Sequence, residues 1–155
     1  MIEITEGMTA PAFDLPTDSG GRATSADLKG RTVVLYFYPK ADTPGCTTEA
    51  QDFTALSAEF AAADAVVIGV SRDPVKALDR FKAKRELGVI LASDEAGDVT
   101  EAFGVWGEKQ MYGRTYMGVE RATFLIDGEG VVRRTWRKVK VKDHAAEVLA
   151  AIQTP

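Results

Sequence analysis

Residues Arg31 to Tyr38 read Arg-Thr-Val-Val-Leu-Tyr-Phe-Tyr, an almost unbroken run of β-branched, apolar and aromatic side chains. A strand with one wet face alternates apolar and polar residues; a run without alternation suits a strand covered on both faces. Such a strand needs a layer above it and a layer below it, which restricts the chain to sheet-and-helix architectures. Ala65-Val66-Val67-Ile68-Gly69-Val70-Ser71 repeats the pattern. Between the two runs, Gly45 to Ala63 is expected to be a helix, because Cys46, Phe53, Leu56 and Phe60 recur at helical spacing and share one face. Two parallel strands joined by a crossover helix follow.

The rest of the chain extends that unit. Ala12-Phe13-Asp14-Leu15 reads as a short strand, Asp18-Ser19-Gly20-Gly21 as a turn, and Ser25 as the cap of a single turn through Leu28. Asp73-Pro74 supplies a cap and a proline at the first position of a helix whose apolar stripe is Val75, Leu78 and Phe81. Val89 to Ala92 is expected as a strand and Asp98 to Phe103 as a short helix. Arg121 to Asp127 and Val131 to Val141 make a hairpin about Asp127-Gly128, and Lys142 to Thr154 a closing amphipathic helix. Strands alternating with helices and ending in a hairpin mean an α/β fold with a mixed sheet. At 155 residues this is one domain, residues 1–155.

The only cysteine, Cys46, falls where the first buried strand gives way to its helix. A lone cysteine is by default a small buried hydrophobe. Its surroundings favour a reactive role instead. Thr43-Pro44-Gly45 is a turn, a helix start offers unpaired N–H groups and the positive end of the dipole, and Thr43 sets a hydroxyl three residues before the sulfur.

Pro39-x-x-x-Thr43-x-x-Cys46 resembles the active-site signature of the peroxiredoxins, thiol peroxidases on a thioredoxin fold. The strings Tyr36-Phe37-Tyr38-Pro39-Lys40, Thr43-Pro44-Gly45-Cys46-Thr47, Phe103 to Lys109 and Thr123 to Asp127 are similar to the bacterioferritin comigratory protein, or PrxQ, branch. The resemblance covers about Ile4 to Ile152. It implies a thioredoxin-like fold with an N-terminal β extension, and a peroxidase reducing hydrogen peroxide and organic hydroperoxides without a cofactor. It also implies that Cys46 is the peroxidatic cysteine, that Thr43 and Pro39 shape its pocket, and that Arg121 places a guanidinium beside it. Glu49 then either orients Arg121 or is a surface residue favouring the helix start. Many PrxQ proteins carry a resolving cysteine five residues after the peroxidatic one; here that residue is Gln51. An internal disulfide is ruled out, so an external thiol (thioredoxin, glutaredoxin or glutathione) has to resolve the sulfenic acid.

Rival readings are narrower. His144, the only histidine, sits in Lys142-Asp143-His144 and reads as a solvated surface residue rather than the partner of a Cys-His hydrolase. One cysteine and one histidine make a poor zinc site. Trp106 to Gly118, rich in aromatic residues and glycine, reads as a packed connecting loop, or as a rim of the site or a partner surface. Lys138, Lys140 and Lys142 alternate with valines, as on a strand with a solvated face or a docking surface for an acidic reductase. A net charge of −4 argues against nucleic acid. No basic and apolar leader and no membrane-length run is seen, so a cytoplasmic monomer or weak dimer is expected. The non-enzymatic alternative is a thioredoxin-fold binding or chaperone module.

Overall fold

The structure is a computed structural model describing residues 3–153. A short hairpin, β1 (Asp14–Pro16) and β2 (Arg22–Thr24), precedes β3 (Thr32–Phe37). There follow α1 (Pro44–Ala55), α2 (Ser57–Ala62), β4 (Ala65–Ser71), α3 (Val75–Arg85), β5 (Ile90–Ser93) and α4 (Asp98–Ala102). A second hairpin, β6 (Trp106–Met111) and β7 (Arg114–Val119), leads to β8 (Ala122–Ile126), β9 (Val132–Trp136) and α5 (His144–Gln153). The main sheet has the order β5-β4-β3-β8-β9. β3 and β4 run parallel in the register Thr32↔Ala65 to Phe37↔Val70, and β8 lies antiparallel on the other side of β3.

The unbroken apolar run is therefore the central strand, with every residue from Val33 to Phe37 buried. Its side chains divide by the pleat into two cores. Val33, Leu35 and Phe37 pack with Ile68, Val70, Phe103 and Phe124. Val34, Tyr36 and Tyr38 pack with Cys46, Phe53, Phe60, Leu78 and Val148, among others, on the face covered by helices. Tyr36 stacks on Phe53 with ring centroids 4.8 Å apart, and its ring lies over Gly69. A Cβ at position 69 would meet Tyr36 Cζ at 2.5 Å, so only glycine admits that ring.

Several expectations change. The helix from Gly45 to Ala63 is two helices, broken at Leu56. The Thr54 hydroxyl donates back to Ala50 O at 2.7 Å and accepts the Gly88 N–H at 3.0 Å, and such back-bonding bends helices. Asp73 does not cap α3. Its carboxylate accepts the Ala41 N–H at 2.8 Å and the Ser71 hydroxyl at 2.7 Å. Ser25 holds Phe13 instead of capping a helical turn, accepting its N–H at 3.1 Å. The strand expected over Val131 to Val141 ends at Trp136, because Lys138 takes a left-handed φ of 48° and gives its N–H to Glu120 Oε2. The alternating lysines are therefore not a strand face. Trp106 to Gly118 is no loop but part of the β6–β7 hairpin, which exposes Met111, Tyr112, Tyr116 and Met117. The expected end of the last helix at Thr154 lies outside the described residues.

Candidate active site

The chain leaves β3 after Phe37, turns through Pro39 to Thr43, and enters α1 at Pro44. Proline suits that first helical position, where no N–H is needed. Cys46 is the third helical residue, so its N–H precedes the first helical bond, from Thr47 N to Thr43 O at 2.8 Å. The expected helix-start placement is thus present. Cys46 is also only 2% exposed, so the helix start and burial coincide at this sulfur, and a cation lies beside it.

That cation is Arg121. Its Nη2 lies 3.4 Å from Cys46 Sγ, and its Nη1 donates to Glu49 Oε1 at 2.7 Å. One guanidinium therefore joins two acidic groups that sit one helical turn apart on α1. Glu49 is 1% exposed, which decides between the two readings of it in favour of contact with Arg121. Burial pushes its carboxyl up to about 7, against the pull of the guanidinium. Its second oxygen, Oε2, has no hydrogen-bond partner among the described residues. For Arg121, burial disfavours the charge, but Cys46 and Glu49 outweigh it and hold the guanidinium above its ordinary value.

Gly45 makes the approach of Arg121 possible. A Cβ there would lie 3.1 Å from Nη2, tighter than most side-chain contacts. The backbone of Arg121 is fixed from two sides. Its carbonyl accepts the Val139 N–H at 2.9 Å, and the preceding Glu120 N–H donates to Val105 O at 2.7 Å. Arg137 grips Glu120 through Nε and Nη2 at 2.8 and 3.0 Å and reaches Gly104 O with the same Nη2. The segment carrying the expected lysine strand thus serves instead to seat Arg121.

Thr43 is the N-cap residue of α1, but its hydroxyl makes no cap bond; it donates to Lys40 O at 2.7 Å. With its proton engaged, Oγ1 is left as an acceptor. Pro39 is half-buried in the turn just before it. The loop is held from outside by Asp42, whose carboxylate receives Lys84 and Arg85 of α3 at 2.8 and 2.9 Å. Gln51 is exposed, on the side of α1 away from the buried sulfur.

His144 is the clearest correction. It is buried rather than solvated, its Nε2 pairs with Thr123 Oγ1 at 2.8 Å, and its ring meets Phe53 and Trp136 edge-on. Three polar residues in a row suggested a surface, but the first turn of α5 docks on β8. Lys109 was not singled out by any sequence argument. Its Nζ donates to Val119 O at 3.0 Å, and burial and then the Arg121 charge lower its affinity for a proton, while Cys46 raises it. Glu120 and Arg137 were missed as well. Their pairing spans 17 residues, and no local pattern signals it.

The AhpC/TSA family model matches residues 7–135. Peroxiredoxin Bcp of Bacillus subtilis is 50% identical over 98% of this chain and 96% of its own. Peroxiredoxin Bcp of Xanthomonas campestris is also 50% identical, over 99% and 97%. A Xylella fastidiosa PrxQ structure aligns with a TM-score of 0.93 at 38% identity, covering 99% of this chain and 98% of the other. The Xanthomonas campestris bacterioferritin comigratory protein, solved in a study of alkyl peroxide reduction, aligns at 0.86 with 48% identity over 91% and 90%. No helix among the described residues is long and apolar enough to cross a membrane. Matched along nearly its whole length in sequence and in thioredoxin-like fold, the chain belongs to the AhpC/TSA family, among its Bcp/PrxQ peroxiredoxins, and is a thiol-dependent peroxidase with a single cysteine.

Proposed function

We propose that Cys46 is the peroxidatic thiol, with Arg121, Thr43 and Pro39 completing the site and Glu49 orienting Arg121. The observation that carries this reading is the Arg121 Nη2 group 3.4 Å from the sulfur at the start of α1. The thiolate attacks one peroxide oxygen. A sulfur lone pair forms the S–O bond, the O–O pair leaves on the far oxygen as alkoxide or hydroxide, and a proton completes the alcohol or water. Ionisation alone is a limited source of rate. An ordinary thiol with a pKa of about 8.5 is about 3% ionised at pH 7, so full ionisation gains about thirtyfold. The larger share comes from donors and charge aimed at the oxygens as the bond breaks. Arg121 supplies the fixed cation, and the free Cys46 N–H a donor. Thr43 Oγ1, whose O–H donates to the Lys40 carbonyl, accepts a hydrogen bond from the hydroperoxide O–H and so turns the peroxide toward the sulfur. Pro39 closes the turn against water.

The sulfenic acid is returned to thiol by an external thiol, since position 51 holds glutamine and the sequence has no second cysteine. Thioredoxin, glutaredoxin and glutathione are the candidate reductants. The protein acts in the cytoplasm as one domain spanning residues 1–155, a monomer or weak dimer. Intact-mass spectrometry under graded peroxide, paired with steady-state peroxide consumption driven by dithiothreitol, tests the reading. One equivalent should add one oxygen at Cys46, and excess peroxide without reductant should drive it to the sulfinic form. A protein left unoxidised by the first equivalent, or a Cys46→Ser variant that still turns over, would sink it.

A further inference from the structure

Two acidic groups and one guanidinium share a nearly dry space. Cys46 and Glu49 are 2% and 1% exposed, and Arg121 contacts both. If both acids ionise, the cluster has one anion too many, and an unbalanced buried charge is costly. One proton between them brings the cluster to neutrality. We propose that Cys46 and Glu49 share that proton across Arg121, the sulfur holding the charge and Glu49 the proton until the sulfur is oxidised.

The surroundings decide which acid holds it. Cys46 lies in the first turn of α1, at the positive end of the dipole, whereas Glu49 is the sixth helical residue and beyond its reach. Lys109 of β6 acts on the sulfur and on Arg121. On α1 itself Asp52 faces Glu49 and disfavours its negative charge. Tyr36 and Tyr38, from β3 and just beyond it, stand close enough to feel both acids, and burial holds each phenol neutral. From α5, His144 is kept toward its neutral form by burial, despite Glu147 beside it, so it adds no further cation; Asp143 faces Asp52. Oε2 of Glu49 is orphaned among the described residues, and a neutral carboxyl tolerates that better than a carboxylate. The rise of the Glu49 carboxyl to about 7 agrees with this placement of the proton.

The step balances. Thiolate, hydroperoxide and protonated Glu49 become sulfenic acid, alcohol and ionised Glu49: the S–O bond forms, the O–O pair leaves with the alkoxide, and the stored proton compensates the alkoxide's protonation. Once the sulfur is neutral, Arg121 is left with a single anion, the Glu49 carboxylate. Glu49 is a positioning residue that acts through Arg121, and this role rests on Cys46 being the peroxidatic thiol.

The test mixes reduced protein with one equivalent of hydrogen peroxide in weak buffer containing a pH indicator, following thiolate absorbance and intact mass together. At about pH 6 the thiolate absorbance should vanish with no net proton uptake. At about pH 8.5, where Glu49 has already lost its proton, uptake should be about one proton per sulfur. Glu49→Gln, which cannot store a proton, should take up about one at both. Wild-type uptake of about one proton at both pH values overturns the proposal, as does an absence of thiolate absorbance at about pH 6. A mass that gains no oxygen overturns the peroxidatic reading and this proposal with it, whereas oxidation with the wrong proton count overturns this proposal alone. The two wild-type measurements decide the matter even if the variant does not fold.

Discussion

At the scale of single residues, the site depends on an atom that is missing. Gly45 has no Cβ, and the Nη2 of Arg121 occupies the space where one would crowd it. Gly45→Ala should leave α1 as stable as before or slightly more so, since alanine is the better helix former. It should nevertheless slow peroxide reduction by about tenfold, because displacing the guanidinium by a fraction of an ångström spoils its aim. Stopped-flow oxidation beside thermal unfolding checks this; an unchanged rate would mean that Arg121 has room to adjust. Glu49 leaves a second trace, in stability. Its folded pKa of about 7 lies above the ordinary 4.5, so the folded state binds more protons than the unfolded state between those values. Its contribution is complete below 4.5 and is lost as pH rises toward 7, by roughly 3 kcal/mol. Urea unfolding should show wild type losing ground to Glu49→Gln across that window. His144, with its lowered pKa, works in the opposite sense but is common to both proteins, so it cancels in the difference. Parallel pH profiles would contradict the assignment. Cys46 and the Thr43 hydroxyl stood out from their place at the turn into α1, whereas Pro39 entered only with the motif of the resemblance. Arg121 likewise came only through the resemblance, since its contact with Cys46 spans 75 residues.

At the scale of elements, periodicity was a good guide wherever an element packs by its own pattern. β3, β4 and α3 lie close to where their apolar residues put them. It failed where a distant group intervenes. α1 stops before α2 because Thr54 is drawn to Gly88, and β9 ends because Glu120 takes the Lys138 N–H. The β6–β7 hairpin was missed for another reason: most of its residues are exposed, so no alternation marks it. α5 shows how docking overrides local polarity, for its first residue fills a niche between Phe53, Trp136 and Thr123. His144→Ala should therefore cost about 2–4 kcal/mol, through the lost ring and an orphaned Thr123 hydroxyl. Peroxide reduction by the folded variant should stay within about twofold. A hundredfold loss, the usual scale for a missing acid or base, would make His144 part of the chemistry.

At the scale of the whole molecule, the sheet order puts the sulfur at the carboxyl end of the central strand, where α1 starts above a layer of aromatic side chains. A small hydroperoxide can be turned toward a sulfur that is 2% exposed, but the sulfur of a bulky thiol cannot be brought in line with it unless the loop ahead of α1 swings out. That loop is fastened to α3 by Asp42, held at a left-handed φ of 60° between Lys84 and Arg85. Both cations are at least one-third exposed, so dissolved ions compete for the fastening. Raising salt from about 0.05 to 0.5 M should then speed recovery of the oxidised protein by a large thiol about twofold or more, while peroxide reduction changes little. Asp42→Asn should show the faster recovery at low salt and lose the salt response; an equal salt response in both proteins would place the fastening elsewhere. Ionic strength thus becomes a setting on the second half of the catalytic cycle, deciding how long the sulfenic acid waits and how often a further peroxide reaches it first.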